Sequence, residues 1–189
     1  AIEEAAANGD ADACFELGAV YANGHDVKQN SQQARKWLKK AIAKESVAAH
    51  TLLAWLYLND DSLGQTDTDA IELFLVAAEA GDSDAQCSLG DIYLEGDAGI
   101  EPNPRAMLQW YSSAANHNHP KAQYMLGKLL AEGKQVAQND EAAFQWLTFA
   151  IMNQSEAAQK ELAMLTARLS ADQLEQYKQR MIESMPQTL

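Results

Sequence analysis

Cysteine is nearly absent from this chain and proline is scarce, with two and four residues among 189. Two thiols cannot build a disulfide framework, so an apolar core must hold the fold, and 47% hydrophobic residues supply the material. Positive charge is also short: 14 Lys and Arg face 27 Asp and Glu, for a formal charge of −13. Such a surface repels phosphate backbones and anionic lipid, which argues against nucleic acid as a partner. No segment approaches the roughly 20 uninterrupted apolar residues of a membrane span, so no membrane insertion is expected. Residues 1–10 carry no basic, signal-like stretch. The composition suits the cytoplasm, and equally the periplasm or envelope.

Catalytic patterns are missing too. No strand-like alternation is evident, and no glycine-rich phosphate loop follows a strand. His117 and His119 form an H-x-H at a helix–helix turn, but no neighbouring acid or thiol completes the about four ligands of structural zinc. Asp60, Asp61, Asp67 and Asp69 make an acidic loop without the spacing or closing glutamate of an EF-hand. It reads as a solvated loop. No metal, cofactor or catalytic set is expected, and the chain is not read as an enzyme.

What the sequence does have is a period. Ala13, Ala49, Ala85, Ala122 and Ala158 stand 36, 36, 37 and 36 residues apart, each followed four residues later by a leucine: Leu17, Leu53, Leu89, Leu126 and Leu162. A Gly or Ala comes next, at Gly18, Ala54, Gly90, Gly127 and Ala163, and Tyr21, Tyr57, Tyr93 and Leu130 stand at offset eight. This i, i+4, i+8 rhythm is one stripe of a helix, and the small residue admits a second helix closely. Such a period is the mark of a stacked helical solenoid. Helix A is expected near 11–23, 47–59, 83–95 and 120–132.

Each helix A is followed by a break at Gly24, Asp60, Gly96 or Gly133, and then by an apolar loop residue expected to be buried: Val27, Leu63, Ile100 or Val136. Asn30, Thr66, Asn103 and Asn139 are able to cap a second helix. Helix B is expected near 31–44, 67–80, 104–117 and 140–153. It carries Trp37, Leu73, Trp110 and Trp146, read as core, and then Leu38, Phe74, Tyr111 and Leu147. Gly81 and Asn118 suit the left-handed turn that ends helix B, whereas Glu45 and Gln154 fit it less well, so those turns are expected to differ. The repeats read as 11–46, 47–82, 83–119 and 120–155, in one domain over 1–189. Residues 1–10 form a partial unit, with Ala1 where a large apolar residue is expected, so an upstream repeat or a processed terminus is implied. Residues 156–189 form a partial unit and a capping helix, introduced by a Ser170/Gln173 capping box and carrying Leu174, Tyr177, Met181 and Met185 on one stripe. Cys14 and Cys87 lie two repeats apart, beyond disulfide reach.

These residues resemble the Sel-1-like repeat family, relatives of the tetratricopeptide repeats. Residues 85–96 read A-Q-C-S-L-G-D-I-Y-L-E-G and residues 107–115 read M-L-Q-W-Y-S-S-A-A, close to the family pattern. The second repeat departs most, with Ala54, Asp60 and Leu73 in place of two glycines and a tryptophan. The resemblance implies an all-α, right-handed superhelical solenoid that acts as a protein-binding scaffold or adaptor. It also implies that helix A lines a concave face through offsets −1, 2, 6 and 9. Projected here, that face carries Phe15, Trp55, Leu58, Leu94 and Tyr124, with Asp91 on the acidic side and Lys121 and Lys128 toward the C-terminal end. A protein or peptide partner is expected there. The alternative is a structural assembly module of a bacterial envelope or secretion apparatus, binding through its ends.

Overall fold

Helix A in each repeat starts where a side chain or turn can satisfy its first amide groups, and in three of the four it ends where glycine turns the chain left-handed. Asp10 accepts from the Ala13 amide at 2.8 Å and Asp82 from the Ala85 amide at 2.7 Å. Gly24, Gly96 and Gly133 close three of these helices in the αL conformation, which costs glycine nothing. In the computed structural model of the protein, residues 2–24 and 27–184 are described. Among them are eleven α-helices, one 3-10 turn and no strand. The expected positions of Ala1 and Met185 fall outside this range.

The chain divides into two compact units, Ala1–Asn103 and Pro104–Leu189. The first holds α1 (Ile2–Ala7), α2 (Ala11–Asn23), α3 (Ser31–Ile42), α4 (Val47–Asn59), the 3-10 turn Asp61–Leu63, α5 (Asp67–Glu79) and α6 (Ser83–Glu95). The second holds α7 (Pro104–Asn116), α8 (Pro120–Glu132), α9 (Asp140–Met152), α10 (Glu156–Ala167) and α11 (Ala171–Ser184). Within the units, α1 to α6 and α7 to α10 pack on their sequence neighbours, α2 also touches α4 and α8 touches α10, and α11 packs on α9. All four A helices have the expected bounds. The B helices stop slightly short of theirs.

In the first and fourth repeats a glycine on helix A is pressed against a large side chain on helix B. A Cβ on Gly18 would stand 2.8 Å from the Leu38 side chain, and one on Gly127 would stand 2.6 Å from that of Leu147. Leu38, Phe74, Tyr111 and Leu147 are fully buried. They belong to the stripes Ala34/Leu38/Ala41, Ala70/Phe74/Ala77, Met107/Tyr111/Ala114 and Ala143/Leu147/Ala150, every member of which is buried. The tryptophans are not core. Trp37, Trp110 and Trp146 are only half-buried, because each lies one position, about 100°, off that stripe. The Lys40 ammonium covers the Trp37 ring at 4.0 Å, and Phe149 meets Trp146 edge-on at 5.9 Å.

Two loop expectations are corrected as well. Val27 is exposed, Ile100 and Val136 are half-buried, and Leu63 alone of the four is buried. The turns at Glu45 and Gln154 do not differ from the rest: their φ values are 65° and 67°, beside 94° at Gly81 and 61° at Asn118. The amides of Ser46, Asp82, His119 and Ser155 reach back to the carbonyls of Ala41, Ala77, Ala114 and Ala150 at 2.8–3.1 Å. This Schellman closure outweighs the cost of a left-handed side chain.

The last helix closes the second unit. Ser170 and Gln173 exchange the bonds of a capping box at 2.9 and 3.2 Å. Met181 is buried with Phe144 and Leu165, and Tyr177 stands 6.2 Å from Phe144. Arg168 holds Asp140 and donates to the Ala131 carbonyl at 2.7 Å, while Arg180 holds Glu141 at 2.6 Å.

Phe74→Ala should therefore cost about 3–5 kcal/mol, and Leu73→Ala less than half of that, both read from chemical denaturation midpoints. Equal losses would contradict the stripe. Gly127→Ala should lower stability, because overpacking at about 1–3 kcal/mol outweighs a helix-propensity gain of about 1 kcal/mol. A raised melting temperature would show that Leu147 moves aside freely.

Candidate protein-interaction surface

Trp55 is the only tryptophan on an A helix, and it is 41% exposed. Its ring is not loose. It meets the fully buried Phe74 edge to face, with centroids 5.4 Å apart. The Trp55 carbonyl accepts from the Asn59 side chain at 2.6 Å, which finishes α4. An indole supported along one edge and open to solvent on the other is a preorganised contact surface.

Around it, the offsets divide by depth. Offset two lies deep where its side chain is small: Thr51 is 7% and Cys87 3% exposed, while the larger Phe15 and Tyr124 are half-buried. At offset nine Leu58 and Leu94 are half-buried. Offset six rises to the surface at Trp55, with Asp91 and Lys128 half-buried, and Lys121 at offset minus one is exposed. Phe15, Trp55, Leu58, Asp91 and Leu94 belong to the first unit, and Lys121, Tyr124 and Lys128 to the second. Asp91 and Lys121 each hold an interaction of their own. Four residues before Trp55, on the same side of α4, the buried Thr51 hydroxyl has no hydrogen-bond partner among the described residues. No residue-level signal in the sequence marks that orphan.

The opposite side of helix A is a staple to the repeat before it. Gln86 donates to the Ala78 carbonyl at 2.9 Å and Gln123 to the Ala115 carbonyl at 3.2 Å, while Cys14 Sγ lies 3.5 Å from the Ala6 carbonyl. Gln123 also accepts from Asn153 at 2.8 Å. The two cysteines are buried and free.

The acidic loop is occupied with its own backbone. Asp60 accepts from the Ser62 amide at 3.0 Å, and Asp69 accepts from the Thr66 amide and hydroxyl, each at 2.8 Å. Hydrogen bonds from Ser31 and Ser62 hold the Asp60 carboxyl below the usual range, and those from Thr66 do the same for Asp69. His119 Nδ1 accepts from the Ala122 amide at 3.2 Å, so it caps α8. Among the described residues, no three His, Cys, Asp or Glu side chains gather as a metal site, and no helix is long and apolar enough to cross a membrane.

Paired helices in register, without a strand, define an α-helical repeat protein. The Sel1 repeat matches at residues 11–46, 47–82, 83–119 and 120–155, and the chain belongs to that family. Sel1 repeats are generally protein–protein interaction modules, and proteins built from them are typically non-enzymatic scaffolds. A chitin synthase regulator of Saccharomyces cerevisiae is 30% identical over 168 residues, which span 87% of this chain and 24% of the regulator. Among solved structures, a protective antigen of uropathogenic Escherichia coli with an SLR fold has a TM-score of 0.82 at 25% identity, covering 100% of this chain and 44% of that one. A Sel1 repeat protein from Oxalobacter formigenes has a TM-score of 0.76 at 27% identity, covering 97% and 77%. The chain thus spans about a quarter of the curated regulator it matches.

The Asp69 capping box gives a pH test. Its lowered folded value means its contribution is fully present above the unfolded value of about 3.9 and is lost as pH falls through the folded one. Asp69→Asn should therefore lower the melting temperature at pH 7, and the gap to the parent should close in acid below the ordinary carboxylate range. A gap independent of pH would show that the charge is not responsible.

Proposed function

We propose that this chain is a scaffold that captures a segment of a partner protein on the helix A surface, with Trp55 as the anchor. The observation that carries this reading is the half-exposed indole held edge-on by a fully buried phenylalanine. Interface energy concentrates on such rigid aromatic anchors. Leu58 continues the apolar surface one turn on. The partner is a protein or peptide, and no cofactor enters the reading. One relative is named as an enzyme regulator, and a scaffold that holds an enzyme beside its activator fits such a role.

The alternative, an assembly module that binds through its ends in a bacterial envelope or secretion apparatus, draws on Met152, Met164 and Ile182. These stand 60–64% exposed on three successive helices of the second unit.

Trp55→Ala should weaken binding of a partner recovered by crosslinking roughly thirtyfold, the loss of an anchor contributing about 2 kcal/mol. Stability should fall only by the edge-to-face contact, about 0.5–1.5 kcal/mol. Full-strength binding by a folded Trp55→Ala protein would move the site elsewhere, and weakened binding after Met164→Glu in its place would favour the end-on role.

A further inference from the structure

The second repeat lacks the helix B tryptophan, and the place that residue fills elsewhere is open. Leu73 stands in register with Trp37, Trp110 and Trp146, and Val76 with Lys40 and Phe149. In the fourth repeat Trp146 and Phe149 lie edge to face at 5.9 Å, and in the first the Trp37 ring lies under Lys40 at 4.0 Å. In both, an aromatic ring stands at this position against the residue three places on. In the second repeat two short aliphatic side chains stand at these positions, and Val76 is left 51% exposed.

What remains is a groove of about 360 Å³ between α3 and α5, floored by Leu53 and Tyr57 of α4 and walled by Ile42, Leu73 and Val76. That volume lies within the roughly 300–1,000 Å³ of ligand pockets. Two hydrogen-bond patterns set this repeat apart. Thr66 gives its amide to Asp69, whereas the equivalent Asn30, Asn103 and Asn139 amides bond back to Tyr21, Tyr93 and Leu130. In addition, His50 bonds to its own turn at the Ser46 carbonyl, at 3.0 Å, and makes no staple of the kind that Gln86 and Gln123 make. The mouth carries Asp69 and Glu72 against one lysine of the lining, Lys39, with His50 at the rim. Glu72 is exposed. Asp69 accepts from Thr66 through one oxygen, and Lys39 lies close enough to favour its charge.

We propose that this groove is a second binding site, one that takes an aromatic side chain from a partner segment with a basic residue beside it. The ring replaces the missing tryptophan of the repeat, and the basic group meets Glu72 and Asp69. His50, Leu53 and Tyr57 lie about half a turn round α4 from Thr51 and Trp55, so the site is independent of the helix A surface.

The probe is a capped hexapeptide with a Lys–Trp pair, titrated into the isotope-labelled full chain, with Glu–Trp and Lys–Ala versions as controls. Saturable amide shifts at Leu53, Leu73 and Val76 are expected, strongest for Lys–Trp and lost for Lys–Ala. Leu73→Trp should fill the groove and weaken Lys–Trp binding by roughly tenfold or more. Val76→Phe, the residue of the fourth repeat, should do the same if Leu73→Trp folds poorly. Glu72→Lys should move the preference toward Glu–Trp by about two- to fivefold. Trp55→Ala should leave Lys–Trp binding unchanged. The proposal is overturned by no saturable Lys–Trp binding, by undiminished binding to both filled variants, or by loss of binding in Trp55→Ala.

Discussion

The first and fourth hairpins depend on one contact, the pressing of a glycine on helix A into a large side chain on helix B. Gly18 against Leu38 and Gly127 against Leu147 leave no room for even a methyl group without displacement. That proximity aligns the two helices closely enough for a whole stripe to be buried, and the buried stripe supplies most of the apolar area that holds the unit. Capping and turn closure then fix the ends of helices whose packing is already decided. Both cysteines are free and buried, so no disulfide adds to this packing.

Much of the architecture was legible because the repeat multiplies every weak signal. A single Ala-x-x-x-Leu is common, but five in register place helix A to the residue, as α2, α4, α6 and α8 attest. The burial of the tryptophans was not legible. Two large residues stand side by side on helix B, and size alone ranks Trp above Leu or Tyr. The deciding signal was four residues upstream: Ala34, Ala70, Met107 and Ala143 share a stripe with the second residue of each pair, not with the first. The turns at Glu45 and Gln154 were misjudged because local preference was weighed without the closing hydrogen bonds that all these turns share.

The functional surface was legible only as a row of offsets. The exposure of Trp55 follows from its register, but the edge-on support from Phe74 depends on how two helices meet. The substitutions in the second repeat were visible as departures from a pattern. Their shared consequence was not. Asp60, Thr66, His50 and Leu73 each rewire one contact, and together they make one repeat unlike its neighbours on both faces of α4.

The turn from helix B to the next helix A has the same closure whether its left-handed residue is Gly, Glu, Asn or Gln. The opposite connection holds a 3-10 turn at unchanged length in one repeat and an added residue, with Ala98 and Gly99 at positive φ, in another. Variation in length is therefore channelled to the connection from helix A to helix B. The invariant turn works as a phase lock: a duplicated or deleted repeat meets the next helix A through the same closure. The variable connection can diversify without disturbing that phase, so an ancestral array could change its number of units and its loops independently.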